Sequence, residues 1–180
     1  MNTGSGFNPN VFALYSGWSN ASGSNAAAQQ SIARGEMLFN NQPMTISSVP
    51  GFNDVRGETE VPGTCTSCHN TPSAGNDSAY EMMNIGTASP GADLPYYVML
   101  CNDGTQLATS DPGRALVTGK CVDIGKFKVP SMRGLAARAP YFHNGSAATL
   151  MDAINFYNQR FNMLLTDQEK ADLVAFLNTL

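Results

Sequence analysis

The segment Cys65-Thr66-Ser67-Cys68-His69 constrains this chain more than any other. It is the one CxxCH in the sequence. At that spacing two cysteine sulfurs can each form a thioether to a haem vinyl group while the adjacent imidazole swings beneath the iron. Thr66 and Ser67 set the separation of the sulfurs on one turn. The motif therefore points to one covalent haem c held by Cys65 and Cys68, with His69 as proximal ligand. Two readings compete with it. A zinc half-site would need a second close pair of ligands, and Cys101 and Cys121 are too far apart in sequence to supply one. A thioredoxin-like redox pair would open a helix after a buried strand, whereas residues 56–64 are polar and turn-rich.

Attachment of this kind takes place outside the cytoplasm, so the expected compartment is oxidising, periplasmic or extracellular. There Cys101 and Cys121 are expected to form a disulfide, closing a loop of about 20 residues and contributing about 3 kcal/mol by the chain-entropy model. Two buried free thiols are the alternative. The first ten residues carry no basic segment followed by an apolar one, and so no signal peptide. The reading expects a leader already removed, or a piece of a longer exported chain. No apolar run is long enough to span a membrane. Charged residues make up only 13%, with a net charge of −4, which argues against a coiled coil, a charge-rich disordered chain and a nucleic-acid binder. The charges are unevenly placed. Residues 114–138 hold six basic residues and one acidic, net +5, leaving four basic and 13 acidic elsewhere, net −9. Such an island is either a solvated loop or a site that holds an internal anion or docks an acidic partner.

A length of 180 residues predicts one domain with a small appendage. Residues 1–25 are that appendage, an arm in which 14 of 25 positions are Asn, Gly or Ser. Phe7, Phe12, Tyr15 and Trp18 interrupt it as aromatic anchors. The arm is expected to lie on its own domain or on a neighbouring subunit, giving a homo- or hetero-oligomer. Residues 26–180 form the c-type cytochrome domain. Residues 26–40 read as a helix capped by Ser24 or Asn25, with Gly35 marking a close backbone approach. Residues 41–64 read as a long polar loop with prolines at 43, 50 and 62. After His69 the chain is expected to stay irregular through Pro72, Gly75, Pro90 and Gly91, with residues 96–101 a short strand or buried turn. Two capped helices close the sequence, one begun by Thr149 and Asp152, the other by Thr166 and Glu169.

Residues 125–150, GKFKVPSMRGLAARAPYFHNGSAATL, resemble the C-terminal haem domain of the bacterial diheme cytochrome c peroxidase and MauG superfamily. The family pattern is F-K-V-P-x-L-R-N, a short spacer, A-P-Y-F/M-H-N/D-G and a T-L that opens a helix. This chain departs from it at Met132 and Gly134. With the CTSCH motif and the final helix the resemblance covers about residues 30–180. It implies an all-α, cytochrome c-like haem domain with long irregular loops. Family enzymes carry two haems in two domains, and the part matched here is the electron-transferring one.

The resemblance therefore implies a single-haem cytochrome that passes one electron at a time between redox protein partners. A peroxidase or MauG-like oxidant and a structural subunit of a larger redox assembly are the alternatives. Arg133 and its basic neighbours are expected near the haem propionates, since a buried carboxylate needs a partner, with a surface Arg or a structural pair as the alternative. His143 matches the family's second histidine, expected in a hydrogen-bonded structural role or as a second iron ligand. The family's sixth ligand, Met in peroxidases and Tyr in MauG-type proteins, falls 14 residues later, at Tyr157. A core aromatic is the plain reading of that residue. Met163, in the loop before the last helix, is the thioether alternative.

Overall fold

A computed structural model describes residues 11–71, 82–88 and 94–180. Phe7, and the irregular course expected around Pro72, Gly75, Pro90 and Gly91, lie outside the described residues. In chain order the elements are α1 (Ala26–Asn41), β1 (Met44–Ser47), α2 (Asn53–Arg56), β2 (Glu60–Gly63), β3 (Met82–Met83), β4 (Tyr97–Leu100), β5 (Gln106–Thr109), α3 (Ala115–Thr118), β6 (Phe127–Lys128), α4 (Leu150–Arg160) and α5 (Asp167–Leu177). Short 3-10 turns fall at Ser16–Asn20, Cys65–Ser67, Cys121–Asp123 and Leu135–Ala137.

The all-α expectation is corrected by these strands. Helix accounts for 39% and strand for 14%, in two-stranded antiparallel sheets β1–β2, β3–β6 and β4–β5, so the fold is mixed α/β. The segment expected as a polar loop supplies one of them. There Met44 faces Gly63 and Ser47 faces Glu60, with Ile46 turned into the core at 2% exposure. Prolines at 50 and 62 suggested a loop, yet Pro62 sits in a two-stranded edge where its missing N–H costs nothing. Segments that must return on themselves satisfy their backbone groups by pairing, and a helical pattern count does not see this. Residues 96–101 do contain a strand, β4, but it is largely exposed rather than buried.

The helices follow the capping signals. Thr149 accepts from the Asp152 N–H and Thr166 from the Glu169 N–H, each with the reciprocal bond of a capping box. α1 crosses α5 at Gly35, where a Cβ would stand 2.0 Å from the backbone oxygen of Asp172. The crossing is fastened by Asp172, 2% exposed, which accepts from Arg34 Nε at 2.7 Å, Arg34 Nη2 at 2.9 Å, Ser31 Oγ at 2.6 Å and Gln168 Nε2 at 3.1 Å. Burial pushes its pKa up, but these donors together hold the carboxyl below its ordinary value of 3.8. A depressed carboxyl stabilises the fold above its unfolded pKa and loses that contribution as pH falls through the folded one. Asp172→Asn should therefore lower stability at neutral pH by about 2 kcal/mol and flatten the loss of wild-type stability below about pH 4, both read from denaturant unfolding. Equal wild-type and variant midpoints at pH 7 would refute this.

The described part of the arm packs on its own chain. Phe12 is buried between Phe39 and Phe176, with ring centroids 5.6 and 5.8 Å away. The buried carboxylate of Glu36 accepts the backbone N–H groups of Leu14 and Tyr15 at 2.6 to 3.2 Å. Cys101 and Cys121 are joined as a disulfide with Cα atoms 5.5 Å apart. The basic island divides. Lys126 is buried between Asp123 at 3.6 Å and Asp54 at 3.8 Å, and Arg114 lies 3.6 Å from Asp123.

Candidate functional site

The CxxCH segment is wound by its own side chains. β2 delivers the chain to Thr64 in extended conformation, and a capping box between Thr64 and Ser67 then closes the 3-10 turn Cys65–Ser67. Thr64 N–H donates to Ser67 Oγ at 3.0 Å, and the His69 N–H reaches back to the Cys65 carbonyl at 2.9 Å. The spacer residues thus do more than separate the sulfurs. Thr66, fully buried, roots the turn while Cys65, Cys68 and His69 line one cavity.

That cavity measures about 450 Å³, within the range of sites that enclose a small-molecule ligand. Its walls are overwhelmingly apolar, with Phe39, Met83, Phe161 and Leu173 among them. Phe39 lies 6.4 Å from the His69 ring, centroid to centroid, and the Cys68 sulfur is 4.0 Å from that of Met83. Burial, reinforced by neighbouring Cys68, pushes the Cys65 thiol up to about 12. A redox CxxC works through a lowered thiol pKa, so this wall has the opposite electrostatics. β2, the strand before the motif, is half exposed, and the turn that follows is three residues long rather than a helix. Among the described residues no three Cys, His, Asp or Glu side chains are grouped to hold a metal ion, which leaves the zinc reading unsupported.

Four more residues named from the sequence can now be placed. Tyr157, on α4, lines the cavity with its ring 6.2 Å from Phe161 and 5.9 Å from Phe142. Its hydroxyl makes no hydrogen bond to a described residue, and burial, then Cys68 and Cys65, raise its pKa above the ordinary value of 10.0. Met163 is buried on the same cavity, 4% exposed. His143 also lines it, yet its Nε2 lies 2.7 Å from Asp111 Oδ2 and its ring stacks on Phe127 at 3.6 Å. Phe142 beside it adopts φ 66°, a conformation that costs a bulky residue about 1–3 kcal/mol. Arg133 stands exposed and outside the cavity lining. From the same basic island, Arg138 and Lys128 reach the cavity instead. Arg138 also donates to the Ser131 carbonyl. Lys128 and Arg138 are both exposed residues at the cavity's edge, among the basic neighbours that the sequence pointed to. Asp111 carried no signal, because only the return of β5 brings it to His143.

No model of a known protein family matches the chain. Curated relatives do. The cytochrome c551 peroxidase of Nitrosomonas europaea is 36% identical over 133 residues, 72% of this chain and 33% of the relative. The cytochrome c peroxidase IdrP1 of Denitromonas iodatirespirans is 34% identical over 137 residues, 64% of this chain and 36% of its own length. The chain is related to the diheme cytochrome c peroxidase and MauG superfamily. MauG of Paracoccus denitrificans itself is 34% identical over 91 residues, 51% of this chain and 19% of the relative. This peroxidase and MauG relative spans about a third of the length of the peroxidases it matches. No described helix is long and apolar enough to cross a membrane.

Proposed function

We propose that this chain is a haem c-bearing domain of cytochrome c peroxidase type, working in peroxide-linked electron transfer in an exported compartment. The observation that carries the reading is an apolar cavity lined by Cys65, Cys68, His69 and Tyr157 together. The donor set fits haem c: two thiols in a CxxC pair, an imidazole beside them, and basic groups from Arg138 and Lys128 that suit propionates. When bound, the haem supplies a one-electron carrier whose potential depends on its axial ligands and surroundings. The chain's own residues do the rest. Cys65 and Cys68 tether the group, His69 and Tyr157 would hold its iron, Phe39, Phe161 and Leu173 exclude water, and Asp111 fixes the ring of His143 at the cavity wall.

The relatives are named peroxidases, which favours peroxide-linked chemistry over electron carriage alone. The test is peroxide-dependent oxidation of a reduced small redox protein by the holoprotein. Turnover of about 1 to 1,000 per second supports the proposal. Rapid reduction and reoxidation by redox proteins with no peroxide consumed would leave the plain carrier.

Tyr157 has its own test. A phenolate is a hard anionic donor that favours ferric iron and lowers the potential, whereas a thioether favours ferrous iron. Tyr157→Phe removes only the hydroxyl, so packing should hold while the ferric absorption and electron spin resonance spectra change and the potential rises. Unchanged spectra would return Tyr157 to the role of a core aromatic and move the sixth ligand to Met163 or His143.

A further inference from the structure

A succession of rings joins the haem motif to the surface. Phe39 lies 6.4 Å from His69, Phe176 lies 5.6 Å from Phe39, Tyr15 lies 6.3 Å from Phe176 and Trp18 lies 4.7 Å from Tyr15, all between ring centroids. Phe176 is fully buried, Tyr15 and Trp18 are half-buried, and Trp18 is the one tryptophan in the sequence. The outer pair belongs to the arm rich in Gly, Ser and Asn, and three side chains of α1 pin that arm down. Asn40 exchanges two hydrogen bonds with the backbone of Phe12, the Glu36 carboxylate accepts the N–H groups of Leu14 and Tyr15, and Gln30 Nε2 donates to the Ala21 carbonyl at 2.9 Å. Clamped on either side, Tyr15 and Trp18 are held in ring contact with Phe176. Covering the core accounts for buried Phe12, but not for a tryptophan stacked at the outer end.

Electron counting gives these rings a task, which rests on the peroxide-linked reading proposed above. Reducing hydrogen peroxide to two waters takes two electrons and two protons. A one-electron haem site supplies one of the electrons as its iron passes from ferrous to ferric. With one CxxCH in the sequence, a second one-electron donor within this chain is a side chain, and indole and phenol are the oxidisable aromatic ones. Tyr157 is committed to the iron in that reading. Tyr141, whose hydroxyl donates to the Leu135 carbonyl at 3.1 Å, has no base there to keep the proton that a phenol sheds with its electron. The other run of rings, through Phe142 and Phe156, ends in phenylalanine, which resists oxidation. An indole gives up an electron without a proton, Trp18 is in part open to water, and the Glu36 carboxylate fastened at Tyr15 favours the positive charge left behind. We infer that Trp18, through Tyr15, Phe176 and Phe39, supplies the second electron and is the port at which a reduced redox protein restores it. One electron leaves the iron and one leaves the Trp18 indole, which becomes a cation radical. Both pass to peroxide with two protons from solvent, and the O–O bond breaks to give two waters. Two one-electron transfers from the redox protein close the cycle.

Ferrous holoprotein mixed with one equivalent of hydrogen peroxide and frozen at once tests this by electron spin resonance. The expected result is an organic radical whose signal narrows when the protein carries ring-deuterated tryptophan and is unchanged with ring-deuterated tyrosine. Tyr15→Leu interrupts the rings at a half-buried position and should lose most of that radical, with the visible spectrum and the ferrous-to-ferric step as in wild type. Trp18→Tyr should restore a radical to the site, now responding to the tyrosine label. Should Tyr15→Leu unsettle the arm, peptide mapping of wild type decides: after repeated peroxide additions, oxygen should be found on Trp18 before Met37, which is 57% exposed and the easier target for free peroxide. Peroxide consumed with no organic radical, a wild-type signal that follows the tyrosine label, full radical yield in Tyr15→Leu, or Met37 oxidised first would each overturn the inference and leave the peroxide-linked function standing. Haem that stays ferrous in peroxide would overturn that function, and the inference with it.

Discussion

The double substitution Cys65→Ala/Cys68→Ala is expected to abolish covalent haem and, with it, most of the folded state. The cavity at the centre of this fold has a volume of about 450 Å³ with apolar walls. Without the group, the apolar walls of this partly open cavity would face water, at a cost of about 25 cal/mol per Å² of apolar surface, which is several kcal/mol and a large share of a domain's stability. The chain therefore depends on its ligand as on a piece of its core. The variant should lack the thioether-linked mass, lose near-ultraviolet circular dichroism and unfold at much lower denaturant. An apo variant as stable as the holoprotein would show that the cavity closes by itself and is no haem site.

The second large effect sits at the helix crossing. Gly35→Ala would gain about 1 kcal/mol of helix propensity, as any helical glycine does on exchange for alanine. Against that, the new Cβ would stand 2.0 Å from Asp172 O, 2.6 Å from Asp172 C and 2.7 Å from Phe176 Cβ. Two of these are backbone atoms, which cannot step aside as a side-chain tip can. α1 and α5 must separate, loosening the Arg34–Asp172 pair and the packing of Phe39 and Phe176 together. The overpacking dominates, and a net loss of about 3 kcal/mol or more is expected from denaturant unfolding. Because Phe39 also faces His69, the spectrum of the holoprotein should shift with it. A neutral Gly35→Ala would mean that the helices do not cross here.

What could be read in the sequence was local chemistry. The capping boxes at Thr149 and Thr166 involve residues three apart, and Gly35 stood out as a glycine in an otherwise good helix. The CxxCH motif points to its ligand in five consecutive residues. What escaped was everything made by return of the chain. The β1–β2 ladder joins segments separated by α2, and was hidden by prolines that an edge strand tolerates. The all-α expectation failed for that reason. Asp111 meets His143 across 32 positions, and no periodicity announces such a pair. Arg133, Lys128 and Arg138 are alike as letters, and only the turn at Leu135–Ala137 and the pairing of β6 with β3 settle which face the cavity.

The central claim, covalent haem on the Cys65–His69 motif, is tested most directly by intact mass under denaturing conditions. Thioethers survive denaturation and a non-covalent ligand does not. The protein purified from cells with an exported haem-attachment pathway should weigh one haem more than its polypeptide, with the increment on the peptide containing Cys65 and Cys68. A mass equal to the bare chain, with both thiols free to label, would contradict the account.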